Sequence, residues 1–203
     1  VIVACAVSNE LVFLDPRTGT EQKRIKNISD PYQIGFSPDK AWFVANSLRL
    51  DRVDLYRAAD FSLIARIPAE KTPSHMAFDK ASQFVFITLQ DSNEILAIDL
   101  KSRQTAWRHP VGPTPAGIHM TPDDRYLLVG IMGADYVEVI DWRARRTVKR
   151  ITTARGAHNF LPRGDGRHVF VSNRTINGSI SLVDMQALRV VEAAPERGEL
   201  VAR

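Results

Sequence analysis

Apolar residues along this chain come in short runs separated by turn formers, and no stretch sustains the 3.6-residue period of a helix about ten residues long. Residues 117–151 show the pattern: Gly117-Ile118-His119-Met120, Tyr126-Leu127-Leu128-Val129, Tyr136-Val137-Glu138-Val139-Ile140 and Thr147-Val148-Lys149-Arg150-Ile151. Each run is rich in β-branched or aromatic residues, which suit a pleated, half-buried surface. Between them stand Thr121-Pro122-Asp123-Asp124, Met132-Gly133-Ala134-Asp135 and Asp141-Trp142-Arg143-Ala144. The first break recurs as Ser37-Pro38-Asp39-Lys40 and, degenerately, as Pro162-Arg163-Gly164-Asp165-Gly166. Proline sets φ and the Asp side chain caps the amides that follow, so these predict tight connections between antiparallel strands.

The strands repeat. Ring-bearing Trp42, Phe84, Tyr126 and His168 fall at intervals of 42 residues, and Pro31, Pro73 and Pro115 keep the same step, with Ala157 in the fourth slot. Asp39, Asp123 and Asp165 share another slot, with Ala81 the exception. Asp15, Asp99 and Asp141 share a third, with Arg57 in the second place and Asp184 displaced by one residue inserted within Thr175-Ile176-Asn177-Gly178. Four short antiparallel strands per unit of this length is the arithmetic of a propeller blade. The expected fold is all-β, a β-propeller of four-stranded antiparallel blades in one domain. Complete blades are expected at about 33–67, 75–109, 117–151 and 159–192, with a partial one at 1–28 lacking its innermost strand. That amounts to about 4.8 blades. A further innermost strand is expected to begin near Gly198-Glu199-Leu200-Val201. Either those residues close a five-bladed ring or both ends were cut from a larger one, and the abrupt start without Met favours the second.

Composition narrows the picture modestly. The chain has 203 residues, is 44% hydrophobic and 25% charged, and describes an ordinary folded domain. Its 27 Lys and Arg against 23 Asp and Glu leave a net +4, too mild to demand an acidic partner. One cysteine, Cys5, excludes an internal disulfide and any multi-cysteine metal site. No apolar run approaches the ~20 residues of a membrane span.

Phe43-Val44-Ala45-Asn46 and Phe170-Val171-Ser172-Asn173 resemble the Tyr-Val-Thr-Asn signature of YVTN-family, YncE-like β-propeller repeat proteins. Ser179-Ile180-Ser181-Leu182-Val183-Asp184, Arg189-Val190-Val191 and Val111-Gly112-Pro113-Thr114-Pro115 resemble further parts of that consensus. The likeness covers essentially the whole chain and extends distantly to the haem-binding propeller domain of cytochrome nitrite reductases. Leu89 and Ile131 replace the signature asparagine in the middle units, and Lys40 or Asp124 stands where the turn glycine is usual. The resemblance implies a seven-bladed ring of which this chain is a fragment, a periplasmic or secreted location, and a binding or scaffolding role; function does not follow from fold alone.

Propeller recognition is expected at a channel mouth, where the loops between blades (d–a) and those within them (b–c) converge. Ligand-binding candidates there are His75, His158, Arg49, Arg174, Asp135 and Asn159. The two histidines are expected in corresponding loops two blades apart, where imidazoles can ligate haem iron or titrate, although a hydrogen-bonded structural role is the commoner fate. Arg49, Arg155 and Arg174 suit carboxylates or phosphates, or else ion pairs with Asp51, Asp91 or Asp135. His119, beside Met120, reads as packed. Arg143, Arg145, Arg146, Lys149 and Arg150 crowd an outer edge, where positive charge discourages sheet-to-sheet aggregation. Trp142 is the one aromatic near them, which argues against nucleic acid. No Gly-x-Ser-x-Gly, Cys-x-x-Cys-His or His-x-Glu-x-His occurs. The favoured reading is a non-enzymatic exported binding or scaffold protein for a protein or small ligand, with no catalytic residue, metal or obligatory cofactor. The alternative is a haem- or quinone-associated redox or cofactor-maturation propeller.

Overall fold

The computed structural model describes residues 1–176 and 178–194. The expected further strand at Gly198–Val201 lies outside them. Among the described residues there are only strands and turns. The first sheet has three strands, β1 (Ile2–Cys5), β2 (Glu10–Leu14) and β3 (Glu21–Lys26). Four four-stranded sheets follow, and in each the strands pair with their neighbours in sequence. The second sheet is β4 (Pro31–Phe36), β5 (Trp42–Ser47), β6 (Arg52–Arg57) and β7 (Leu63–Pro68). The third is β8 (Pro73–Phe78), β9 (Phe84–Leu89), β10 (Glu94–Asp99) and β11 (Gln104–Pro110). β12 (Pro115–Met120), β13 (Tyr126–Ile131), β14 (Tyr136–Asp141) and β15 (Arg146–Thr152) form the fourth. The fifth is β16 (Ala157–Pro162), β17 (His168–Asn173), β18 (Ser179–Asp184) and β19 (Arg189–Ala194). The expected all-β architecture of antiparallel propeller blades is what the chain adopts.

The chain falls into two compact units, Val1–Ser92 with Leu96–Arg108, and Asn93–Ile95 with the chain from His109 onward. In the first unit, Leu11, Phe43, Ala45 and Tyr56 join the first sheet to the second. Val44, Val53 and Leu55 then meet Val85, Ile87, Leu96 and Ile98 of the third. In the second unit, Leu128, Val137 and Val139 meet Val169, Val171 and Val183. Middle strands are therefore apolar on both faces, which is why they read as runs rather than alternations. Outer strands such as β15 are almost wholly exposed.

The repeated Asp residues close the turns. Asp15, Asp99, Asp141 and Asp184 each accept a hydrogen bond from an amide two or three residues on, at 2.7–3.0 Å. Where Arg57 takes that slot, Asp60 supplies the cap from inside the turn to the amide of Ser62 (3.0 Å) and binds Arg57 Nη1 at 3.1 Å. Where Ala81 interrupts the other Asp column, Asp79 accepts from the amides of Gln83 (2.8 Å) and Phe84 (2.6 Å). Both departures from the repeat leave its chemistry intact. Lys40, Ser82 and Asp124, in the slot where the consensus turn has glycine, all take left-handed φ near that of Gly166 (61°, 57° and 61° against 69°).

One signature motif shifts register. Asn46 pairs with Gln33, whereas Asn173 pairs with Ala157, whose counterpart Pro31 faces Ser47. The tetrads ending in Asn46 and Asn173 are thus one position apart and present their asparagines on opposite faces of the strand. Asn46 Nδ2 donates to the carbonyl of Ser74 (2.9 Å), and Asn173 Nδ2 to the hydroxyls of Ser179 and Ser181.

Candidate functional site

The first strand of each four-stranded sheet slips register near its start, between Pro31 and Gln33, Pro73 and Met76, Pro115 and Ile118, and Ala157 and Phe160. A β-bulge of this kind sets two residues against one and re-aims their side chains. Proline fits just before it, because the first residue of a strand can lack an N–H donor. The residues at the four bulges are Tyr32-Gln33, Ser74-His75, Ala116-Gly117 and His158-Asn159. One backbone device thus carries four different chemistries.

The two histidines therefore stand in strands, not in corresponding loops as the sequence suggested. His75 is the third residue of β8 and His158 the second of β16, so they occupy adjoining register positions. The sequence reading missed this because a bulge changes the two-residue alternation without changing composition.

In the first unit His75 is 9% exposed. Its Nδ1 shares a 2.6 Å hydrogen bond with Ser74 Oγ, which also accepts from Gln90 Nε2 at 2.7 Å. Its amide donates to Thr88 Oγ1 (3.1 Å), and its ring meets Tyr32 edge-on with centroids 5.8 Å apart. Ser74 is fully buried, so its contact with His75 orients the imidazole and offers no accessible nucleophile. Tyr32, at 44% exposure, is the open face of the group.

Arg49 pairs with none of the three acids expected for the arginines. Its partner is Asp30, which accepts from Arg49 Nη2 (2.6 Å), Nε (2.7 Å) and the Arg49 amide (2.8 Å). Asp30 is 5% exposed and has φ +46°, so the guanidinium holds a buried carboxylate in a left-handed bend. The spacing recurs nineteen residues apart: Thr72 Oγ1 donates to Asp91 as Arg49 does to Asp30. The sequence alone carries no clear signal of it, since the two slots hold Asp30, Thr72, Thr114 and Gly156 against Arg49, Asp91, Gly133 and Thr175.

In the second unit His158 is half-buried, Asn159 exposed, and Arg174 and Asp135 exposed on the neighbouring loops. The Asn159 amide donates to Ser172 Oγ (3.0 Å). Asp135 occupies the slot from which Asn9, Asp51 and Asn93 accept the amides of Asp30, Thr72 and Thr114 at 2.8–2.9 Å. Here the Ala134 carbonyl accepts the corresponding amide of Gly156 instead (2.8 Å). The carboxylate of Asp135 is left without a hydrogen bond or ion pair among the described residues. Gly156 is needed at that bend, since its φ is +84° and a Cβ would lie 2.5 Å from the Arg174 carbonyl oxygen. His119 is part-buried and stacks on Phe160 with centroids 6.1 Å apart, the packed role expected for it.

Burial holds the imidazoles of His109, His119 and His158 below the ordinary histidine value; the charge of Arg174 adds to this at His158, against a bond from Asn159 that raises it. A base depressed in the folded state takes up protons more readily when unfolded. Stability is then complete above the unfolded value of ~6.5 and declines as pH falls through the folded values. The melting temperature should drop between about pH 7.5 and pH 5, and His119→Phe should flatten part of that slope in a calorimetric pH series. An unchanged slope would show that His119 does not contribute.

Among the described residues no cluster of three or more His, Cys, Asp or Glu is arranged to hold a metal ion, and no helix is long and apolar enough to cross a membrane.

Comparisons agree on the fold. A family model described as YNCE-like beta-propeller matches residues 1–201. No sequence among curated proteins matches. Hydrazine synthase of Kuenenia stuttgartiensis is similar in structure, with TM-score 0.76 and 22% identity over 80% of this chain and 48% of that one. A functionally unknown protein from Desulfotomaculum acetoxidans DSM 771 superposes with TM-score 0.79 and 14% identity over 95% of this chain and 65% of its own. The chain thus spans about half and about two thirds of these two proteins, and at such identities the likeness is one of fold.

Proposed function

The chain belongs to the YNCE-like β-propeller family, and from that premise we propose that it is a non-enzymatic binding protein whose recognition residues stand at the bulged starts of the first strands and on the loops beside them. One observation carries the reading: a constant bulge presents Tyr32-Gln33, Ser74-His75, Ala116-Gly117 and His158-Asn159 in turn. A frame kept constant while its side chains change is how a repeat scaffold acquires specificity. The second unit supports it further. Asp135 is freed from the capping duty of its slot, and it and Arg174 are exposed on two loops that both hydrogen-bond Gly156, a pair of opposite charges suited to a polar protein or small ligand.

The test is a thermal-shift screen of small polar ligands and peptides against the wild type, Arg174→Ala, Asp135→Asn and Asn159→Ala. A ligand that stabilises the wild type, with at least one variant losing half of the shift, supports the reading. Shifts indifferent to all three substitutions would overturn it. Haemin belongs in the same screen: a visible absorption band lost on His75→Ala or His158→Ala would favour the cofactor-carrying alternative.

A further inference from the structure

At the end of the sheets opposite those bulges, the repeat contains a departure that the binding reading does not use. The turn between the last two strands of each sheet has a left-handed residue: Gly19, Phe61, Arg103, Arg145 and Leu188, with φ between 51° and 72°. Where that residue is apolar it packs toward the preceding sheet. Phe61 lies 5.6 Å, centroid to centroid, from Phe13 of the first sheet and 5.0 Å from Phe43. Leu188, like Tyr126, packs against the buried cluster that includes Val139, Val183 and Met185.

Between the second and third sheets that apolar residue is missing. Arg103 stands in its place, exposed, and the crevice remains open at about 520 Å³, with Trp42, Ser82, Gln83, Asp99 and Lys101 as its other walls. A contiguous hollow of about 460 Å³ shares Trp42 and Arg103 and reaches Arg57 and Ile64. Both volumes suit a small organic ligand. The charges are uneven. Asp99 is committed to its own turn through the Ser102 amide (2.7 Å), and Arg57 is paired with Asp60. Lys101 and Arg103 have no side-chain partner among the described residues. Against the single carboxylate of Asp99 the cavity therefore sets an indole wall and two cations, a net positive charge, and one of the cations is a planar fork able to grip an oxyanion in two places.

We propose that this crevice binds a small planar anion, an aromatic ring bearing a carboxylate or phosphate, with the ring against Trp42 and the anionic group on Arg103 and Lys101. Tyr126 and Leu188 occupy the equivalent positions in the second unit, where the hollow left beside Gly166, Met185 and Gln186 is smaller, at about 280 Å³. Arg103→Leu is thus a substitution the repeat already contains, at the same left-handed φ (Leu188, 51°), and the variant should fold.

The experiment is isothermal titration calorimetry of the whole chain with 2-naphthoate and 2-naphthyl phosphate. Naphthalen-2-ylmethanol serves as the ring without charge and acetate as the charge without ring. Saturable binding of a naphthyl anion is expected, weakened about tenfold or more in Arg103→Leu and about threefold in Lys101→Gln, with neither control binding comparably. The melting temperature of Arg103→Leu should equal or exceed that of the wild type, which separates lost binding from lost folding. The proposal is overturned if no naphthyl anion binds up to about 5 mM, a very weak limit for a specific site, or if either control binds equally well. Unchanged affinity in a folded Arg103→Leu chain would overturn it too. None of these outcomes touches the bulge residues, so this site and the proposed recognition site fail independently.

Discussion

Gly117→Ala is expected to destabilise the second unit by about 4 kcal/mol or more, among the largest effects a single methyl group can have. β12 passes so close to β16 that a Cβ on Gly117 would overlap the His158 carbonyl oxygen and lie 3.0 Å from its carbon and 3.1 Å from the Cα of Asn159. All three atoms are backbone, so no side chain can swing aside, and two strands held by ladders on their far sides must part. Parting them opens the cluster of Leu128, Val169, Val171 and Val183, so the clash is converted into lost packing. At 2–4 °C per kcal/mol for a chain this size, the melting temperature should fall by roughly 8–16 °C. Gly164→Ala is the control. Its φ of +92° strains any side chain but nothing lies within 4 Å, so about 1 kcal/mol is expected. Similar melts for the two variants would mean that the strands slide apart freely.

The second large effect is expected at Asp184→Ala, about 3 kcal/mol. Asp184 is 1% exposed, and its Oδ2 accepts from Arg167 Nε (2.9 Å) and Nη2 (2.6 Å). Its Oδ1 caps the amides of Gln186 (2.9 Å) and Ala187 (3.0 Å). Truncation strands two turn amides and a guanidinium. The half-exposed Arg167 can turn to water, which keeps the loss near the lower end of the range for broken buried pairs. Arg167 first, then the two amides, hold the Asp184 carboxyl well below the usual carboxylate range. An acid depressed on folding contributes stability that is complete above its unfolded value of ~3.9 and lost as pH falls through the folded one. Asp184→Asn should therefore weaken the acid-unfolding limb below about pH 4 while retaining one acceptor for the turn. Denaturant melts at about pH 7 and pH 3 check both points: a wild-type-like midpoint for Asp184→Ala at pH 7 would remove the pair from any account of stability.

The fold was legible because its chemistry is local. Asp39 and Asp141 act within two or three residues of themselves, so a column of Asp at constant spacing already states where the chain turns. Even the gaps in those columns are filled from nearby, by Asp60 and Asp79. What escaped reading is whatever depends on register or on a distant partner. The tetrads ending in Asn46 and Asn173 look alike in composition but sit one position apart, four residues after Trp42 and five after His168, and the pairing with Gln33 and Ala157 gives that offset its meaning as opposite faces. His75 and His158 read as loop residues because proline and glycine surround them, whereas the bulge draws them into β8 and β16. Arg49 was assigned its chemistry but not its partner, since nothing local says that Asp30 is buried beneath it. The open crevice at Arg103 was likewise unreadable, because an arginine in an exposed turn is ordinary until Phe61 and Leu188 are seen packed inward from the equivalent place.

Among the described residues every ladder joins strands adjacent in the chain. Its consequence concerns how such a protein assembles and diversifies. An all-β protein normally folds slowly because its pairings close long loops, but here each loop to be closed is a turn of a few residues. Hairpins can form anywhere along the chain, and docking of neighbouring sheets, rather than strand pairing, becomes the slow event. The same arrangement makes one sheet a heritable module: duplicating or deleting a whole repeat severs no ladder, and asks only that two apolar faces of the same kind meet again.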